Sequence, residues 1–417
     1  MHSTVENIMD EVRDSFCQID SCPDQGPRIF FENAGGALTL KTVVETSAQY
    51  AAIPDNQGRD NPASLRAAHM IAASKESIRD FLNAEGGQVF AGESGTELLF
   101  RLISAACLGT DKGGTVLGST LEHPASRSAC VRWAKIAGKS YQAAAHNDAT
   151  GTVTADDYLP HITPDTRVAT ILHTSPVTGM SVDVAAVVKV IRQIAPECII
   201  IVDGIQHAAH GGLDIAAYDI DGYVISPYKV FSRHGYGIAW ISERLAAMPH
   251  DTLIDAPNTP WELGTRDAGS YATFSDVVSY FEWLGGRVSN ATTPRAKIKA
   301  AGLAISAQEN TLVQSMLHGV GGMTGLADMP AIQIIGGIDN PHREGLVSMA
   351  VKGHQSADIV ARLSDHGIRV HIRRADHYSG NILNPLGLDS CIRISMCHYN
   401  THAEVQVFLA AMKTILS

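Results

Sequence analysis

Apolar positions in this 417-residue chain alternate between two rhythms, and the alternation itself outlines a fold. Residues 4–16 place Val5, Ile8, Met9, Val12 and Phe16 at helical spacing, and residues 63–83 repeat that spacing with Leu65, Ala68, Ile71, Ile78, Phe81 and Leu82. Between later helical stretches lie short, largely apolar runs: Val89 to Ala91, Val116 to Leu117, Val168 to Leu172, Ile199 to Val202, Tyr223 to Ile225 and Tyr236 to Ile241. Such runs suit strands buried on both faces of a parallel sheet. The 236–241 run reads as an antiparallel or an edge strand. Helical patterns follow at 98–106, around Trp133, and at 183–194 through Val184, Val187, Val188, Ile191 and Ile194. Strand–helix alternation of this kind predicts a doubly wound α/β domain with a mixed, mostly parallel sheet.

Beyond residue 285 the rhythm changes. Residues 294–317 read as a long connecting helix. Short strands at 332–335, 344–352, 368–372 and 392–396 then mix with helices at 355–366 and 402–416, a smaller α+β unit. The expected organisation is an N-terminal segment (1–40), a large domain (41–285) and a C-terminal small domain (286–417).

Composition narrows the function classes. Apolar residues make up 45% and charged ones 18%, a well-buried globular balance. The net charge of -11 and the lack of a basic block argue against nucleic-acid binding. No apolar run reaches membrane-spanning length, and the N-terminus lacks the basic start and apolar core of a signal peptide. Seven cysteines (17, 22, 107, 130, 198, 391 and 397) form no CxxC pair, and their odd number fits a closed disulfide framework poorly. Reduced thiols in a cytoplasmic protein, with no metal centre, are the expectation.

The chemistry gathers where strands end. In open α/β sheets the ligand crevice lies past the strands' carboxyl ends. Ile199-Ile-Ile-Val-Asp-Gly-Ile-Gln206 delivers Asp203 and Gln206 to that rim, and Ser226-Pro-Tyr-Lys229 delivers a lysine. An acid for a pyridinium nitrogen and a lysine for a Schiff base are what pyridoxal phosphate enzymes need. Glu122-His-Pro124 brings His123 to a third strand end. Gly92-Glu-Ser-Gly-Thr96 opens a helix whose free N–H groups suit an anion, though a Ser-Gly-Thr cap alone is commonly only a cap. The P-loop lysine is missing there. Phe30-Phe-Glu-Asn-Ala-Gly-Gly36 is a short strand entering a glycine turn, either a close approach to ligand or a plain connection.

In order and spacing these motifs resemble the class V aminotransferases, in the branch with cysteine desulfurases and desulfurase-like proteins, from Phe30-Phe-Glu-Asn-Ala34 to His398-Tyr-Asn-Thr-His-Ala-Glu-Val405. The resemblance implies a fold type I pyridoxal 5'-phosphate enzyme. Lys229 then matches the Schiff-base lysine, Asp203 the acid at the ring nitrogen, Gln206 the contact to the ring's phenolic oxygen, and His123 the imidazole stacked on the ring. Gly95, Thr96 and Ser226 match the phosphate turn, and Thr265 a threonine reaching the neighbouring subunit's phosphate, which implies a homodimer. Arg393 matches the arginine that grips the substrate carboxylate, with Asn33 and Ser379 on the substrate side.

Three departures from the family pattern bear on outcome. Asp376-His-Tyr-Ser379 puts serine where desulfurases carry the persulfide cysteine, and a hydroxyl is a far poorer sulfur acceptor than a thiolate. Pro176 stands where the family often has asparagine, and Tyr228 where histidine commonly precedes the lysine. The expectation is a lyase or transferase acting on an α-amino acid, by β-elimination or related cleavage at the α-carbon. Cysteine desulfuration or transamination proper is the alternative, and a non-catalytic protein binding pyridoxal phosphate or another phosphate ligand is the alternative of a different class.

Overall fold

The computed structural model describes residues 4–256 and 260–417. Its large sheet is built from β1 (Gln88–Gly92), β2 (Thr115–Ser119), β3 (Ser140–Ala144), β4 (Thr166–Leu172), β5 (Ile199–Asp203), β6 (Gly222–Ile225) and β7 (Gly237–Ile241). These seven strands lie in the order β1-β7-β6-β5-β4-β2-β3. Pairing is parallel from β6 through to β3, and β7 alone runs against its neighbours, Ile238 facing Ile225 and Ala91. β7 is thus antiparallel but lies inside the sheet, where β1 takes the edge.

The unbroken run of β5 has a direct cause. Ile200 and Val202 pack into the core on one face, Ile199 and Ile201 into the core on the other, and all four are fully buried. A strand covered on both sides has no polar face to alternate with. Around the sheet pack α1 (Pro62–Leu82), α2 (Gly95–Gly109), α3 (Pro124–Ile136), α4 (Val184–Ile194) and α5 (Ala268–Val288). α6 (Pro294–His318) follows. The second sheet, four-stranded and antiparallel, has the order β8-β9-β11-β10 for β8 (Ile332–Ile334), β9 (Leu346–Val351), β10 (His371–Arg374) and β11 (Ser390–Ser395). α7 (Ser356–Asp365) and α8 (His402–Leu416) cover it.

α6 joins the two cores. Ile298, Ala301 and Ile305 pack with the large sheet, and Leu312, Val313, Met316 and Leu317 with the small one.

Some sequence expectations change. Leu65, assigned to the apolar face of α1, is 49% exposed. The first helix is a 3-10 turn, Glu6–Ile8, followed by a short helix, Met9–Asp14. Residues 368–372 split: Ile368–Arg369 pairs in parallel with Ile29–Phe30, and the chain then enters β10. Helices Lys41–Ala51 and α5, and strand β3, went unread. α5 carries Gly269, Ser270, Thr273, Ser275, Ser279, Gly285 and Gly286, residues that lower helix propensity. Its packing overrides that preference: Tyr271, Phe274, Val277, Val278, Phe281 and Leu284 are all buried in the main core. Among the described residues, no helix is long and apolar enough to cross a membrane.

Candidate active site

The carboxyl ends of β2, β4, β5 and β6 open into one cleft, lined by Thr96, His123, Leu172, Pro176, Asp203, Ile205, Gln206, Ser226, Tyr228 and Lys229. Lys229 sits on a 3-10 turn, Pro227–Lys229, directly after β6, and its Nζ donates to Gln206 Oε1 at 3.0 Å. Burial, with the positive field of Arg393 added, lowers its proton affinity to a pKa of about 7, against the partial support of Asp203. A neutral amine is therefore within reach at physiological pH.

Asp203 closes β5 at 2% exposure. Its Oδ1 accepts from the Ile205 amide at 3.1 Å and its Oδ2 from Ser126 Oγ at 3.4 Å. Burial raises its pKa to about 6. Glu122, 1% exposed and in the field of Asp203, is raised by burial to about 8 and so holds its proton at neutral pH. His123 caps α3, its Nδ1 accepting from the Ala125 amide at 3.2 Å, which leaves the proton on Nε2. Burial, then Lys229, Arg373 and Arg127, push its pKa down to about 3, so the ring is neutral.

At the start of α2, Ser94 caps the helix and Gly95 meets Ser226. A Cβ at Gly95 would lie 2.5 Å from Ser226 Oγ and closer still to Ile205. The helix end thus presents bare backbone N–H groups and the positive end of the dipole beside a hydroxyl, a cradle for an anion.

Arg393 lies on β11 at 2% exposure. Its Nη1 donates to the Pro176 carbonyl at 2.9 Å, and its Nε has no partner. An acid in its field, Glu32, is already engaged by Arg369 at 2.6 Å and His371 at 2.9 Å. Burial, and Arg373 nearby, lower the Arg393 pKa to about 10. A buried guanidinium in that state is set to receive a carboxylate from outside the chain.

Ser379 is fully buried, its Oγ accepting from Arg373 Nε at 2.8 Å. Tyr378 stands beside the cleft with its ring 5.9 Å from that of His123. Asn33 is held within the fold, its Nδ2 donating to Ser395 O at 2.8 Å and its Oδ1 accepting from the Tyr399 hydroxyl. Thr265 is exposed on the stretch before α5, apart from the cleft lining. The structure therefore gathers Thr96, His123, Asp203, Gln206, Ser226 and Lys229 in one cleft, with Gly95 against Ser226 and Arg393 at its border through Pro176.

Two further side chains extend this set. His210 bonds Gln206 and Glu309 bonds His210. His210, four residues past Gln206, carried a local signal; Glu309, a hundred residues away on α6, carried none.

The model of the family described as Aminotransferase class-V matches residues 29–408. The chain belongs to the class V aminotransferase family. Among its relatives, the nonribosomal peptide synthetase-like enzyme fsqF of Aspergillus fumigatus is 28% identical over 93% of this chain and 25% of its own length. A cysteine desulfurase of Synechococcus elongatus is 25% identical over 97% of this chain and 63% of its own length. The chain thus spans a quarter and under two thirds of these two proteins. The apo structure of a cysteine desulfurase from Thermococcus onnurineus NA1 superposes with a TM-score of 0.81 at 21% identity, covering 97% of each chain, a likeness of fold.

As a member of the class V aminotransferase family the protein is a pyridoxal phosphate-dependent enzyme with the cysteine desulfurase-like fold. Its residues fit that cofactor. The Gly95 cradle would take the phosphate, Asp203 the ring nitrogen, His123 the ring face and Lys229 the aldehyde carbon.

Proposed function

We propose that this enzyme acts on an α-amino acid as a lyase or transferase, cleaving a bond at or next to the α-carbon without passing sulfur to a protein thiol. When bound, pyridoxal phosphate supplies an electron sink for the bond that breaks. Arg393 binds and orients the substrate carboxylate through its guanidinium fork. Asp203 holds a proton at the ring nitrogen. The lowered proton affinity of Lys229 suits it to bond the cofactor and afterwards to take or return a proton at the substrate α-carbon. His123, neutral with its proton on Nε2, would pack on the ring face and could pass a proton to or from the substrate there.

One observation carries the choice of chemistry. The loop position that bears cysteine in desulfurases is Ser379, and its hydroxyl is buried and held by Arg373. A free thiolate to accept sulfur is lacking at that position. Cys391 and Cys397, nearby in sequence, are buried, and burial raises both thiols' pKa values, Cys391 to about 11. Thr265, exposed and close to Arg266 and α5, supports a homodimer in which it reaches the partner's phosphate site. Seven unpaired cysteines support a cytoplasmic setting.

The test is a spectral screen of amino acids against the cofactor's visible band, with products identified by mass. An α-keto acid or an eliminated or transferred side chain, with no persulfide on any of the seven cysteines after incubation with cysteine, is the expected result. A protein-bound persulfide in turnover would instead make the protein a desulfurase, the second reading.

A further inference from the structure

Behind the cleft a buried chain of hydrogen bonds runs back from Lys229 through residues that the reaction outlined above does not use. Lys229 Nζ meets Gln206 Oε1 at 3.0 Å, Gln206 Nε2 meets His210 Nε2 at 3.1 Å, and His210 Nδ1 meets Glu309 Oε2 at 2.8 Å. Gln206, His210 and Glu309 are 3%, 4% and 1% exposed. An amide has one donating and one accepting end, of nearly equal size, so either end fits the same space. Which end faces Lys229 then depends on what His210 offers.

With His210 neutral, Nδ1–H donates to Glu309 and Nε2 accepts, so the Gln206 NH2 turns to His210 and its oxygen to Lys229. With His210 protonated, both ring nitrogens donate. The Gln206 oxygen must then face His210, and its NH2 turns to the cleft. We propose that His210 and Glu309 are positioning residues which set the orientation of the Gln206 amide, and with it whether the cofactor's ring oxygen receives a hydrogen bond. The inference rests on the reading that pyridoxal phosphate is seated against Lys229 and Gln206.

Charges around the pair favour the donating state. Burial alone lowers the proton affinity of His210, but the Coulombic pull and hydrogen bond of Glu309 outweigh it, with Glu344 adding to them and Lys229 opposing. Burial raises the proton affinity of Glu309 as well, against the lowering pull of His210, so the two side chains compete for the proton between them. His398 packs nearby as a neutral ring, and the Cys397 thiol lies within 4.8 Å of side-chain heteroatoms of His210 and Glu309, its proton held by burial. Protons can arrive without crossing the active site. His210 and Glu309 also line a separate cavity of about 590 Å3, with Asn310, Arg343 and Glu344. One proton from water there, added to Nε2, turns the amide.

The test reads the pH midpoint of the bound cofactor's visible band in the holoenzyme, for wild type, Glu309→Gln and His210→Asn, each repeated in a Gln206→Ala background. Borohydride reduction with peptide mapping reports in parallel whether the cofactor is on Lys229. An amide donating to the ring oxygen favours its deprotonated form, so each single variant should raise the midpoint by about one unit, a tenfold change in proton affinity. Neither should shift it further once Gln206 is alanine. If Glu309→Gln does not fold, His210→Asn, which cannot take the added proton that makes both ring nitrogens donors, carries the test. Unchanged midpoints with Lys229 still labelled, or shifts that persist without Gln206, would overturn the positioning role alone. A wild-type enzyme unlabelled at Lys229 would overturn the underlying reading and the positioning role together.

Discussion

Lys229, Asp203 and His123 line one cleft, with Glu122 in the field of Asp203, and burial pushes each of the four toward its neutral form. Glu122 turns this into a measurable stability effect. Its pKa rises from 4.5 to about 8 on folding, so between those values the folded chain holds a proton that the unfolded chain has released. The stability it contributes is fully present below 4.5 and is lost as pH rises through 8. In cofactor-free protein, Glu122→Gln should match wild type in acid and become the more stable of the two as pH climbs through that window. Thermal melts across pH would show it, and a gap that stays constant with pH would contradict it. At Arg393 the geometry matters more than the charge. Arg393→Lys loses the fork and should raise the amino acid's KM about tenfold or more, ~1.4 kcal/mol, with the cofactor band in place. Asp203 and Lys229 were legible because each stands at the end of a recognisable strand or turn, whereas Arg393, inside β11, was reached through the family resemblance. The burial of Ser379 beneath Arg373 was not legible, since it depends on how β10 folds back on the loop that follows it.

At the scale of elements, glycines mark where backbones must touch. The start of α2 approaches Ser226 and Ile205 so closely that a methyl group at 95 has no room. Gly95→Ala should weaken cofactor retention at least tenfold, measured by dialysis and the visible band, while leaving the far-UV spectrum unchanged. On α5, a Cβ at Gly285 would collide with the carbonyl of Lys297 on α6. Gly285→Ala should destabilise the fold by about 1–3 kcal/mol in denaturant titrations. The same contact explains why α5 escaped the sequence reading. Its glycines and serines weaken the local helix signal, and what makes it helical is a partner that only the folded chain supplies. β5 was the opposite case, because burial on both faces wrote an unmistakable apolar run.

For the whole molecule, one family architecture places strand ends from all along the chain at a single cleft. α6 links the two cores and carries Glu309 to the back of that cleft. Long-range meetings of this kind leave no periodicity to read, which is why Glu309, ninety-nine residues from His210, left no trace in the sequence. The proposed homodimer also belongs to this scale. Sedimentation should give a dimer, and Thr265→Ala should lower cofactor affinity without dissociating it, whereas a fully active monomer would contradict shared sites. The most direct measurement on the central claim is borohydride reduction of the purified enzyme, expected to be yellow, followed by peptide mass mapping. One reduced pyridoxal phosphate per chain, on Lys229, is the expected result, with none after Lys229→Ala. A label on another lysine, or a colourless protein that takes up no added cofactor, would contradict it.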